Sequence, residues 1–515
     1  MGNIAGKIML LAGIRRYFLA ILAGFICSFA IPPLDLFFAS FVSFTLLVWL
    51  LDGISSFSGR VYSISRIISS FLVGWSFGIG YFIAGLWWIK EVFMGNTVVF
   101  WPSLDVIILC VIIPAFFAIF YGIATSLSSI LWSEGIGRIF IIAFSFGLCE
   151  WLRSWIIGGT AWNSIGYAAM PIPTMMQSVH FIGLFGINAL SVFCFASPAL
   201  FGTRQDMHLG MSISSILLVL HISYGMWKLE DTSEGSQTIV KKEPIIRIVK
   251  PKINLTYKES KENILEHYLS ITSIPGASQD KEPTVIVWAG DTSFFSYLDS
   301  PQILKRVSSV LKKGQLLVFR PMRTAKEFSN GKNIFYKPIR VMDNKGKFLN
   351  DSDVKNIMSL NKYSAYRIAD KLNFYYLNFL KNHSFYTHKE IYPLIFSSIL
   401  FHIDIISNVY SINSIIYLID DYWMTSSMGG YYQSLRYARI KAVETGLPLI
   451  ISANNGISAF FDSKSNIIWS ISIDSSESID IYFQSTLRTN IHSEIRMRNF
   501  WIIELILLLL AIIAL

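Results

Sequence analysis

The sequence predicts a polytopic α-helical membrane protein of about eight spans that carries an α/β layered domain, and three observations predict it. Of the 515 residues, 53% are hydrophobic and only 15% are charged, and the mean hydropathy of +0.49 lies well above that of an ordinary soluble chain. Apolar runs of spanning length recur near 16–31, 36–52, 68–90, 103–133, 138–157, 176–201 and 210–227, and one more ends the chain at 499–515. Between the last two of these, over 235–495, the composition shifts to charged, Asn-, Ser- and Tyr-rich sequence.

The first run has no small-residue cleavage site, so it reads as a retained span rather than a signal peptide. The second is short, and Pro32 and Pro33 just before it point to a tight re-entry into the membrane. In 235–495 the apolar runs are short and β-branched: IIRIV (245–249), TVIVW (284–288), LLVF (316–319) and LPLIIS (447–452). They alternate with helical stretches such as 353–381 and 430–445, the pattern of an α/β sandwich outside the membrane. The expected division is a membrane domain over 1–230, the extramembrane domain over 235–495 and a last helix over 499–515.

Sidedness follows from the cations, because Lys and Arg in short connections stay in the cytoplasm. Lys7, Arg15 and Arg16, then Arg60 and Arg66, then Arg138, then Arg204 fall in alternate connections, which places 235–495 on the opposite side. Lys90 and Arg153 oppose this count, but each stands near a glutamate, Glu91 and Glu150. The formal net charge of +9 is thus a topology signal, and no nucleic-acid partner is expected. All four cysteines, Cys27, Cys110, Cys149 and Cys194, lie in or beside apolar runs, at spacings of neither a zinc site nor a disulfide framework. They read as small buried residues.

The run EWLRSWIIGGTAWNSIGY (150–167) resembles the block E-W-L-R-x-W…G-x-x-W-N-x-x-G-Y of the apolipoprotein N-acyltransferase family. The likeness continues through Gln177 to GLFGIN (183–188), and upstream through GWSFGIGYFIAGLWWI (74–89) and FAIP (29–32). Beyond the membrane part, KAVETGLPLIISANNGISAFFD (441–462), DDYW (420–423) and Gln433 are similar to R-A-[IV]-E-x-G-R-P…N-[TN]-G-I-S-A, N-D-A-W and the Gln of Q-H. The resemblance implies a nitrilase-like αββα domain in the periplasm of a multi-pass inner-membrane protein, acting as a monomer without cofactor or metal. It also implies a Cys–Glu–Lys triad that takes an acyl chain from a phospholipid donor as a thioester. The chain then passes to the α-amine of a diacylated apolipoprotein. A thiolate attacks, the Glu moves protons and the Lys steadies the oxyanion.

At the triad positions the residues depart from the family. The Glu of W-P-E falls on Gly290, with Asp291 one residue on; Asp291 reads either as a displaced acid or as a turn residue. The Lys falls on Val354, with Lys355 adjacent as a substitute or a solvated surface residue. The Cys falls on Phe396, followed by Ser397, which reads as a strand-end residue or as a weak nucleophile five residues from His402. From 195 to 515 there is no cysteine in any register. The Q-P-N strand end appears as Lys250-Pro251-Lys252, with only Tyr257 near the family's next Trp.

These residues leave four readings. The first is a family scaffold without the transfer reaction, impaired or kept for lipid or lipoprotein binding. The second is an active enzyme through Ser397 with Lys355 or Asp291. The third is a transporter lined by Asp35, Glu91, Asp105 and Glu150, which lie at span ends where solvated caps are the default. The fourth, a soluble-type amidase, fails on the same triad. The tryptophans Trp87, Trp88, Trp101, Trp151, Trp155 and Trp162 read as an interfacial belt or as a mouth for a lipid tail.

Overall fold

The structure is a computed structural model. It describes residues 2–57, 63–88, 104–156, 162–231, 245–251, 260–276, 282–290, 300–320, 323–326, 333–336, 340–348, 384–386, 394–397, 414–419, 428–454, 456–472, 475–482 and 493–515. In chain order the longer helices are α1 (Gly2–Met9), α2 (Ile14–Cys27), α3 (Ala39–Phe57), α4 (Ile64–Gly85), α5 (Leu104–Ile130) and α6 (Gly137–Ile156). They continue with α7 (Val179–Ala196), α8 (Met207–Glu230), α9 (Lys261–Thr272), α10 (Pro301–Val310), α11 (Met428–Thr445) and α12 (Ser493–Ile513). The chain divides into two compact units, one of Met1–Asp231, Met428–Glu444 and Ile491–Leu515, the other of Thr232–Ser427 and Thr445–Asn490.

In the first unit a helix stands at each apolar run of the sequence. Five of the described helical stretches are long and apolar enough to cross a membrane, while Ala39–Ser55 is a shorter apolar one. Lipid offers apolar side chains no gain over one another, so membrane helices associate by close backbone approach at small residues. A Cβ at Gly78 of α4 would stand 2.7 Å from Ala118 Cβ of α5. A Cβ at Gly24 of α2 would stand 1.8 Å from the Phe77 carbonyl oxygen, and one at Gly80 would stand 2.0 Å from that of Ile21. Helix α4 is thereby wedged between α2 and α5. Glu150 and Arg153 are not solvated caps: both side chains are buried, and they pair at 2.6 Å. Tyr121 donates to the other Glu150 oxygen at 2.6 Å, and Arg153 donates to the Trp162 carbonyl at 2.9 Å.

Among the described residues the second unit holds two mixed sheets and a hairpin. One sheet runs β13 (Glu477–Tyr482), β1 (Ile245–Lys250), β2 (Val285–Trp288), β3 (Leu316–Phe319), β6 (Arg340–Asp343). The other runs β12 (Ile467–Ile471), β11 (Ser458–Phe461), β10 (Leu449–Ala453), β9 (Ser414–Ile419), β8 (Leu394–Ser397), β7 (Ser384–Tyr386). The hairpin pairs β4 (Arg323–Lys326) with β5 (Asn333–Tyr336). Each sheet has a parallel centre, β1-β2-β3 and β10-β9-β8, closed by antiparallel neighbours. The β-branched runs are continuous rather than alternating because both faces of the central strands are covered. One apolar core joins Ile246, Ile248, Val285, Val287 and Val318 of the first sheet to Ile416, Leu418, Ile450 and Phe460 of the second. Another packs the far side of the first sheet, through Val249, Ile286 and Trp288, on Leu265 and Tyr268 of α9 and Val307 of α10. The expected helix over 353–381 lies outside the described residues.

Candidate functional site at the strand ends

The parallel strands of the second unit end together, and the residues just past them carry its polar chemistry. Strand β2 is buried throughout, and its last residue anchors the backbone that leaves it. Trp288 packs against the Tyr268 ring at 4.7 Å and donates its indole N–H to Thr272 Oγ1 at 3.0 Å. Ala289 N–H donates to the Val249 carbonyl at 2.9 Å and Tyr268 donates to the Ala289 carbonyl at 3.2 Å. The register of position 290 is therefore pinned from both sides. Gly290 has φ +60°, and a Cβ there would stand 2.4 Å from Cγ and Oδ1 of Asn454. A residue with a side chain would have to take a left-handed backbone and displace that amide.

Asn454 comes directly after β10 and is itself buried. The loop behind it is closed by Ser458, whose hydroxyl accepts from Ala453 N–H at 3.0 Å, and by Lys250 at the end of β1. Lys250 Nζ donates to the carbonyls of Gly456 at 2.5 Å and Ser472 at 3.0 Å, so the side chain that replaces the first residue of Q-P-N is a buried staple. Arg320, just after β3, is also buried and donates to the Leu418 carbonyl of β9 at 3.4 Å.

Phe396 and Ser397 close β8, where Phe396 is level with Ile416 and Ser397 with Tyr417 of β9. On the other side Ser397 is level with Ser384 of β7. Gly290 and Ser397 thus both stand at the carboxyl ends of parallel strands, one in each sheet. Asp291, Val354, Lys355 and His402 lie outside the described residues. Asn454 and Arg320 were not singled out from sequence; the signal for Arg320 was a cation directly after a buried apolar run. Among the described residues no group of three His, Cys, Asp or Glu side chains stands together to hold a metal.

In the first unit α11 makes a second polar assembly. Buried Gln433 accepts from Trp88 Nε1 at 3.1 Å and Trp162 Nε1 at 3.2 Å, and donates to the carbonyls of Gly85 at 2.9 Å and Pro32 at 3.2 Å. Every hydrogen-bonding site of its amide is engaged. One turn on, Tyr437 donates to Asn163 Oδ1 at 2.5 Å and stacks on Tyr167 at 4.1 Å; burial raises its phenol above the ordinary range. Arg436 pairs with Asp35 at 2.5 Å, and there burial raises the carboxyl against the opposing pull of the cation. Glu444 accepts from Leu184 N–H at 3.1 Å and from Lys441 at 2.7 Å, and its carbonyl receives Arg496 at 2.8 Å. Gln433 and Glu444 are both positions of the family motifs, and here each holds backbone and side chains of the helical unit. The tryptophans divide accordingly: Trp88 is buried on Gln433, whereas Trp87 and Trp155 are exposed. Trp101 lies outside the described residues.

Residues 23–197 match the family model described as the apolipoprotein N-acyltransferase N-terminal domain. The chain is 36% identical to the apolipoprotein N-acyltransferase of Allorhizobium ampelinum, over 100% of this chain and 98% of that protein. It is equally similar, at 36% over the same shares, to that of Rhizobium rhizogenes. Against that of Agrobacterium fabrum it is 34% identical, over 99% of this chain and 98% of the relative.

Proposed function

This chain belongs to the apolipoprotein N-acyltransferase family, and from that premise we propose that it keeps the family's membrane scaffold while the thioester route to acyl transfer is closed. The family reaction takes an acyl chain from a phospholipid and delivers it to the amine of a diacylated apolipoprotein. It needs a thiolate, a proton carrier and a cation at one place. The single observation that carries the proposal is Gly290: at the position of the proton carrier stands a glycine at φ +60°, with Asn454 where a side chain would begin. The absence of cysteine from 195 to 515 points the same way for the nucleophile. What remains is a scaffold for lipid and lipoprotein chemistry, with the helices in the bacterial inner membrane as about eight spans. The nitrilase-like domain, 235–495, stands in the periplasm between the membrane domain 1–230 and the last helix 499–515. The substitutes Asp291, Lys355 and Ser397 do not restore a triad in this reading.

The test is complementation. The chain is expressed in a bacterium depleted of its own apolipoprotein N-acyltransferase, its insertion is verified, and acyl chains on a lipoprotein N-terminus are counted by mass spectrometry. Diacylated product from an inserted protein is expected. Triacylated product would overturn the proposal, and Ser397→Ala would then show whether that serine carries the reaction.

A further inference from the structure

A serine and a histidine 43 residues apart in sequence meet on the surface of the helical unit. Ser178 Oγ lies 2.6 Å from His221 Nδ1. His221 Nε2 lies 3.2 Å from the carbonyl oxygen of Ala169. A carbonyl oxygen can only accept, so Nε2 carries the hydrogen and Nδ1 is the bare nitrogen. The Ser178 hydroxyl therefore donates to His221. A nucleophile, a base within hydrogen-bond reach and a third group that sets the tautomer of the base are the three parts of an activated serine.

Packing fixes the pair. A Cβ at Gly225 of α8 would stand 1.8 Å from the Thr174 carbonyl oxygen, so α8 runs against the turn Pro173–Met176 with no side chain between them. His221 lies one turn before Gly225, and Ser178 lies four residues after Thr174, so the close approach brings the two together. Both are partly exposed. Around them Ile172, Phe181, Leu220 and Ile222 present exposed apolar side chains. On α8, Tyr224 and Trp227 meet edge to face at 5.9 Å and Lys228 lies over the Trp227 ring, the residue types that mark a membrane interface. His221 is three residues below Tyr224, about 4.5 Å along the axis. That is the depth at which the glycerol esters of a lipid meet the hydrocarbon.

We propose that Ser178 and His221 form a nucleophile and general base that accept an acyl chain from a glycerophospholipid ester. Ser178 Oγ attacks the ester carbonyl carbon as its proton passes to His221 Nδ1. The carbonyl carbon's bond to the glycerol oxygen breaks, and the proton on Nδ1 goes to that leaving oxygen. The acyl chain is left as an ester of Ser178 and the lysophospholipid departs. Water attacks the acyl-serine by the same proton route and releases the fatty acid. No oxidant or metal enters. The pair lies wholly within the helical unit, so the inference does not depend on the fate of the thioester route.

The test uses the full chain in nanodiscs of phosphatidylethanolamine and phosphatidylglycerol, treated with a lipophilic fluorophosphonate and mapped by peptide mass spectrometry. An adduct on Ser178 is expected, absent in Ser178→Ala and formed about 100-fold more slowly in His221→Asn. The Asn oxygen can still accept the serine hydroxyl, so His221→Asn keeps the structural tie and removes only the base. A thermal-shift measurement confirms that this variant is folded. No adduct on Ser178 in folded protein, or an adduct whose rate His221→Asn leaves unchanged, would overturn the proposal and leave the pair as a tie between helices.

Discussion

At position 290 two separate costs fall on any residue other than glycine. The left-handed backbone costs about 1–2 kcal/mol for an L side chain, and the Cβ itself would stand 2.4 Å from the Asn454 amide. The two costs have different remedies. Gly290→Ala is expected to destabilise the chain by more than the backbone term, and Asn454→Gly in the same molecule should recover the steric share. The double-mutant cycle then shows a coupling of about 1 kcal/mol or more, as directly touching side chains do. Thermal melts of the four proteins in one detergent measure it. Additive losses would mean that Asn454 does not fill the space. The same geometry bears on a glutamate placed at 290: its Cβ would meet the Asn454 amide as an alanine's would.

Glu504 shows how one helix accommodates a residue its environment does not favour. Helix α12 spans Ser493–Ile513, and Glu504 lies mid-helix with both carboxyl oxygens buried and without a hydrogen-bond partner among the described residues. The fit is steric: a Cβ at Gly147 of α6 would meet its Oε1 at 1.9 Å, and Ala189 of α7 lies beside it at 2.9 Å from the same point. An unpaired buried polar group costs about 1–3 kcal/mol, and Leu has nearly the volume of Glu. Glu504→Leu is therefore expected to raise the melting temperature of the detergent-solubilised chain. A fall would show that the carboxyl has a partner it depends on. Helices of this kind were legible in the sequence as apolar runs, because length and composition alone decide whether a segment suits a membrane. So were β1, β2, β3 and β10, each a short β-branched run. The role of α11 was not. Gln433, Arg436 and Tyr437 have the polarity of a solvated surface, and only the tertiary fold shows their partners, Trp88, Asp35 and Asn163, to be hundreds of residues away. Glu150 and Arg153 misled for a related reason, since each satisfies the other out of water. Gly290 stood out from a motif, whereas Asn454 as its occupant needed the φ angle and the loop stapled by Lys250.

For the whole molecule, burial changes how the cations that set sidedness should be weighed. Positive charge orients a membrane protein only where it stays in water near a span end. Arg153 is buried against Glu150, and Arg138 is buried beside Asp52 at 3.6 Å, so neither carries its full weight as a free cation. Arg66 is buried as well, whereas Lys7, Arg15 and Arg204 are exposed. Lys7 stands in α1, Arg15 at the start of α2 and Arg204 between α7 and α8, and the sequence reading expects all three on the cytoplasmic side. On the other side Arg153, paired with Glu150, is taken out of the count in the same way. The expectation that the sheet-bearing unit lies outside then rests on the exposed cations Lys7, Arg15 and Arg204. Cysteine scanning in a Cys110→Ser background tests this, because the other three cysteines, Cys27, Cys149 and Cys194, are buried whereas Cys110 is half-buried. In intact cells a membrane-impermeant maleimide should label Lys313→Cys, an exposed position after α10, and should label Lys7→Cys and Arg204→Cys only after the membrane is opened. The reverse pattern would put the sheets in the cytoplasm and overturn the expected sidedness.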